Sequence, residues 1–188
     1  MKGRNMIALI DPTAPASPAK KIPDRFAAAY IRTAFWSSTG HRFGECPCCG
    51  RMAVLDRLPE VFYEQQPMCS AEGCGVREHD GEPFDAFADW TDLAPETLAQ
   101  MIADCDQFQA QHGDLIRAAI DTGEVVCGPD FDACERAAHD FWLTRNGHGA
   151  GFWDGDWPEP MSDRLDEAAK AFGEFDLYMG DDGKIHHA

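Results

Sequence analysis

Two closely spaced pairs of cysteines constrain this chain more than any other feature. The first pair lies in Cys46-Pro47-Cys48-Cys49-Gly50 and the second in Cys69-Ser70-Ala71-Glu72-Gly73-Cys74-Gly75. Each pair brackets a tight turn that closes on glycine, whose freedom at positive φ lets backbone N–H groups turn toward sulfur. Zinc asks for four deprotonated ligands in a tetrahedron, with sulfur at about 2.3 Å. Cys46, Cys49, Cys69 and Cys74 are the ligand set this spacing predicts, with Cys48 a bystander and His41 and His79 near enough in sequence to replace a sulfur. Nineteen residues separate Cys49 from Cys69, enough for the two short strands of a zinc ribbon. Buried free thiols are the plain alternative.

No apolar stretch is long enough to span a bilayer. Met6–Ile10 is too short for the apolar region of a secretory signal. The chain therefore reads as cytoplasmic, a setting in which paired cysteines favour metal over disulfides.

Charge is distributed unevenly. The 188 residues carry a net charge of −17. Residues 1–45 hold seven Lys/Arg against three Asp/Glu, whereas residues 46–188 hold nine against thirty. An acidic body repels phosphate backbones and favours basic partners, or serves solubility alone. The basic start, with Lys20, Lys21, Arg25, Arg32 and Arg42 beside Phe35 and Trp36, offers the opposite chemistry of phosphate contacts and base stacking.

Three segments follow from pattern: residues 1–40 as a basic arm and short helix, 41–82 as the zinc ribbon, and 83–188 as an acidic α+β domain. Pro12, Pro15, Pro18 and Pro23 make the first stretch extended. Asp24 caps a helix with Phe26, Tyr30 and Ala34 near one face. From Leu93, apolar residues at spacings of three and four (Leu98, Met101, Ile102, Cys105, Phe108, Ile116) predict a long helical segment, started by Pro95 and broken at Gly113. Its stripe is core packing. Phe141–Arg145 and Ala150–Asp154, strand candidates on either side of the turn at Asn146-Gly147, predict a β-hairpin. A helix from Ser162 to Phe172 and a second hairpin, Phe175–Met179 with Lys184–His186, complete a hairpin–helix–hairpin unit. The predicted fold class is α+β.

The knuckles resemble those of zinc ribbons in phage and plasmid primases and related replication proteins, over about forty residues. The resemblance implies a structural zinc. It does not bring an activity, because the acidic strand residues that a primase needs for phosphoryl transfer are missing downstream. A second string, His139-Asp140-Phe141-Trp142-Leu143-Thr144-Arg145-Asn146-Gly147-His148-Gly149-Ala150-Gly151-Phe152-Trp153-Asp154, resembles a segment that recurs in small proteins of bacteriophages and integrated mobile elements. That likeness extends loosely from Leu93 to Ile185. It implies the provenance, an accessory protein of such an element, and not a mechanism. Together with the acidic body it leads to the expectation of a protein that is not an enzyme and acts by binding a basic host protein or a nucleic-acid-processing protein, as an inhibitor or DNA mimic does.

Two other functions compete. One is a nucleic-acid-binding module built on the ribbon and the basic arm. The other is a small hydrolase using His139, His148 and Asp154, which with Arg145 form a polar group at the end of the first hairpin that offers a base, a cation and a carboxylate. Polar residues at such ends are more simply turn chemistry. Asp154, Asp156 and Glu159 lack the spacing of a calcium loop, and His186-His187 reads as a frayed tail.

Overall fold

A computed structural model of the chain describes residues 23–45, 50–56, 68–69, 82–129 and 131–188. The described residues form a mixed α+β fold of four helices and small antiparallel sheets. In chain order these are α1 (Arg25–Ser37), β1 (Thr39–Gly40), β2 (Arg42–Glu45), β3 (Met52–Asp56), β4 (Met68–Cys69), β5 (Glu82–Pro83), a single 3₁₀ turn (Phe84–Ala86), α2 (Pro95–Asp121), α3 (Ala133–Arg145), α4 (Met161–Lys170), β6 (Leu177–Met179) and β7 (Ile185–His187).

Helix α1 starts as its sequence dictates. The Asp24 carboxylate accepts a hydrogen bond from the Ala27 amide at 2.8 Å, satisfying one of the orphan donors of the first turn. Phe26, Tyr30 and Ala34 are buried, in one continuous core with α2, α3 and α4. Aromatic pairs dominate that core. Phe108 and Phe141 stack at 4.0 Å, and Trp142 meets Tyr30 edge-on at 5.1 Å.

Helix α2 runs 27 residues without a break, so the expected interruption at Gly113 does not occur. A mid-helix glycine costs about 1 kcal/mol against alanine. The apolar period continues past it to Ile116 and Ala119, both buried, and that burial outweighs the cost. Ala94 has no capping side chain at the start of α2. Its amide instead donates to the Ile185 carbonyl at 2.9 Å, and the Ile185 amide donates to the Asp92 carbonyl. The C-terminal hairpin β6–β7 is thereby bonded to the approach to α2.

The hairpin expected at Phe141–Asp154 is absent: residues 133–145 are helical. Asp132 and Glu135 form a reciprocal capping box at the start of α3, a stronger local instruction than the aromatic run that follows. Phe141 through Arg145 are all buried, with none of the in–out alternation of a strand. Asn146-Gly147 is the helix stop. Gly147 has φ +64°, the His148 amide donates to the Leu143 carbonyl at 3.0 Å, and the Gly147 amide donates to the Thr144 carbonyl at 3.2 Å. This bond pair is a Schellman motif. A dipeptide that favours type I′ turns also suits a helix C-terminus, because both need positive φ.

The final hairpin is present, with Leu177 opposite His187 and Met179 opposite Ile185. Its turn places Gly183 at φ +74°. Helix α4 buries Leu165 and Ala169, and Gly173 follows at φ +73°. The expected cap, Ser162, lies one residue inside the helix with its hydroxyl buried.

β1 and β5 pair antiparallel, Thr39 with Pro83 and Gly40 with Glu82. Between them stands a three-stranded antiparallel sheet in the order β2-β3-β4.

Candidate functional site

The four zinc-ligand candidates fall largely outside the described residues. Cys46, Cys49 and Cys74 lie outside them, as do Cys48 and His79, and Cys69 is described by its backbone alone, in β4. The strands around them have a definite order. β2 and β3 flank residues 46–51, with Glu45 opposite Met52. β4 runs antiparallel to β3, Leu55 facing Cys69, so the chain enters the second knuckle heading toward the end of the sheet where β2 and β3 are joined.

The proposed polar group of His139, Arg145, His148 and Asp154 is divided: Arg145 pairs with Asp104 in the core, whereas His139 and Asp154 both belong to a network around Arg136 and Asp140. Six residues along a helix advance about 9 Å and turn about 240°, which puts His139 and Arg145 on different faces of α3. Arg145 faces the core, its side chain 3% exposed. Its guanidinium donates to Asp104 Oδ2 at 2.8 Å, the Tyr30 hydroxyl at 2.7 Å, the Gly173 carbonyl at 2.8 Å and the Phe172 carbonyl at 3.1 Å. It also lies over the rings of Phe141, Phe172 and Phe175. One side chain thus joins α1, α2 and α3 to the carbonyls that end α4. Burial pushes the Tyr30 phenol far above its usual pKa, with the neighbouring Arg145 pulling the other way. His148 sits beyond the helix stop, and burial lowers its pKa.

Asp154 belongs to a second network, around Arg136 and Asp140. Asp140 is fully buried. Its Oδ2 accepts from Arg136 Nε at 2.7 Å and Trp157 Nε1 at 2.6 Å, and its Oδ1 meets His139 Nδ1 at 2.8 Å. Arg136 Nη2 reaches Asp156 at 2.5 Å and Asp154 at 3.5 Å. Burial opposes the Arg136 charge, but the carboxylates of Asp140, Asp156 and Asp154 hold its pKa above the ordinary guanidinium value. A carboxylate paired with arginine only accepts, so His139 Nδ1 carries the hydrogen and Nε2 is the ring's remaining hydrogen-bonding atom.

The His139 ring lines a surface cavity of about 330 Å³ with Arg32, Thr33, Trp36, Asp85 and Phe131. Arg32 and Trp36 are four apart on α1 and so share a face. Trp36 is 59% exposed and stacks on His139 at 6.2 Å, 29° from parallel. Phe131 also lines the cavity, its ring 5.0 Å from that of His139, with the Arg32 guanidinium 5.5 Å from its ring centre. Phe35, expected to offer base stacking as Trp36 does, is instead in the core. A second cavity of about 410 Å³ adjoins the first and shares Arg32 and Asp85 with it.

Reading the sequence flagged Arg32, Trp36 and His139 separately and missed Arg136, Asp140, Phe131 and Asp85. The capping box was the available signal. A helix counted from Asp132 puts residues 136, 139 and 140 on adjoining positions of one face.

Comparison of the chain with family models, curated proteins and solved structures finds no match. No helix among the described residues is long and apolar enough to cross a membrane.

Proposed function

We propose that the chain is a non-enzymatic accessory protein, of the kind that phages and mobile elements carry, whose acidic body binds a basic protein partner. The observation that carries this reading is the charge and where it lies. From Asn146 to the C-terminus there are ten Asp/Glu and three Lys/Arg. Asp163, Glu167, Glu174, Asp176, Asp181 and Asp182 are all exposed on α4 and the segments that follow it. Of the residues that a hydrolase would use, Asp154 faces Arg136 in the network just described, which supports the same reading. Two arginines of the basic start are also engaged. Arg25 pairs with Asp132 and Glu135, and Arg42 with Glu82, which weakens the nucleic-acid alternative.

Binding of lysine- and arginine-rich peptides to the intact protein tests the proposal. Association should slow steeply from about 0.05 to 0.5 M salt, as the screening length falls below 10 Å. The variant Asp163→Asn/Glu167→Gln/Glu174→Gln/Asp176→Asn should associate more slowly with little change in dissociation. Asp154 and Asp156 are left intact, since they hold Arg136. Salt-insensitive binding, or equal binding of acidic peptides, would remove the reading.

The ribbon is the second part of the proposal: one zinc ion per chain, held by Cys46, Cys49, Cys69 and Cys74, as a structural staple. The antiparallel path of β4 toward the first knuckle supports it. Elemental analysis should find near-stoichiometric zinc in the purified protein. Cys69→Ser should lose it and loosen the ribbon, since binding energy here is folding energy, and Cys48→Ser should keep it. Full zinc retention by Cys69→Ser would refute this ligand set.

A further inference from the structure

We infer that the cavity between α1 and the start of α3 is a binding site for a nucleobase-sized nitrogen heterocycle of the guanine type. The inference stands apart from the acidic surface. A volume of about 330 Å³ lies in the range of small-molecule sites. Its walls are flat. Trp36 exposes most of its indole, Phe131 offers a second ring, and a base stacked on such faces gains affinity whatever its sequence context.

The polar groups narrow the class. His139 is fixed by a fully buried carboxylate, which Arg136 and Trp157 hold in turn. Such a carboxylate is costly to bury, and here it sets one imidazole tautomer at a cavity wall, with Nε2 an acceptor when the ring is neutral. Asp85 supplies a second acceptor. Arg32 supplies a donor fork, and its ion pair with Glu135 is 3.9 Å long, beyond hydrogen-bonding distance. A ligand complementary to two acceptors and one fork carries two N–H donors and a carbonyl. Guanine presents N1–H and an exocyclic N2 amine on one edge and O6 with N7 on another, and O6/N7 is the pair that arginine reads in bidentate fashion. Adenine has no carbonyl and lacks the N1–H. The net charge of −17 disfavours a polyanion, which points to the neutral nucleoside over a strand.

Calorimetric titration of the intact protein with guanosine, adenosine and a short single-stranded oligo(dG) tests this. Guanosine should bind at least about tenfold more tightly than adenosine, the discrimination expected from one bidentate edge. Trp36→Ala and Asp85→Asn alter exposed side chains, so both variants should keep the native melting temperature while weakening guanosine about tenfold or more. Oligo(dG) binding more tightly than guanosine, with a salt-dependent affinity, would identify a strand as the source of the same ring. Tighter guanosine would identify the free nucleoside. Equal binding of adenosine and guanosine, affinity unchanged in Trp36→Ala, or no binding of either nucleoside would overturn the assignment.

Discussion

Replacing Arg145 by alanine should cost about 3–5 kcal/mol of folding stability, the penalty of removing one partner from a buried ion pair. The charge of Asp104 would be left facing the core, the buried Tyr30 hydroxyl would lose its donor, and the carbonyls of Phe172 and Gly173 would lose theirs. Arg145→Lys should recover only part of the loss. An ammonium keeps the charge but cannot direct donors to acceptors spread over four positions in the fork geometry of a guanidinium. Denaturant midpoints with constant m-values would read both effects. A loss below about 1 kcal/mol for the alanine variant would place Arg145 among ordinary surface ion pairs.

Asp140→Ala should come next, at about 3 kcal/mol, since Trp157 Nε1 would be left without its acceptor and Arg136 without its closest buried counter-charge. Asp154 and Asp156 remain to Arg136, which is why the cost falls short of that at Arg145. The same change releases His139, so guanosine binding should weaken even in whatever fraction stays folded. Asp140→Asn preserves shape and should be milder in stability. An Asp140→Asn variant as stable as the unsubstituted protein would mean that the carboxylate charge contributes nothing there.

Parts of the fold were plain in the residues. Asp24, Pro95, the three-and-four spacing from Leu98 to Ala119 and the alternation of Leu177 and Met179 each carry their instruction locally, and each element is where those signals put it. The error at Phe141–Asp154 has a physical cause. A run of Phe, Trp, Leu and Thr buried on every side shows no period, so neither strand nor helix can be read from it. Only the cap at Asp132 and the stop at Gly147 distinguish them. The site was less legible still. Arg32 and Trp36 are separated from His139 by about a hundred residues, and only the packing of α1 on α3 brings them together. Arg145 carried a chemical signal, a cation among aromatics, that suited a surface hairpin as well as a core.

The pairing of β1 with β5 has an evolutionary reading. Gly40 and Glu82 are opposite partners, and residues opposite one another in an antiparallel ladder sit about 5 Å apart. The two ends of the stretch between Gly40 and Glu82 therefore lie side by side, like those of a cassette spliced into a host. Segments that begin and end side by side are the ones recombination adds or deletes with least disturbance to the surrounding fold. The helical body, whose core is built from α1 through α4, has the architecture to accept a cassette of another length, or a plain turn, in its place.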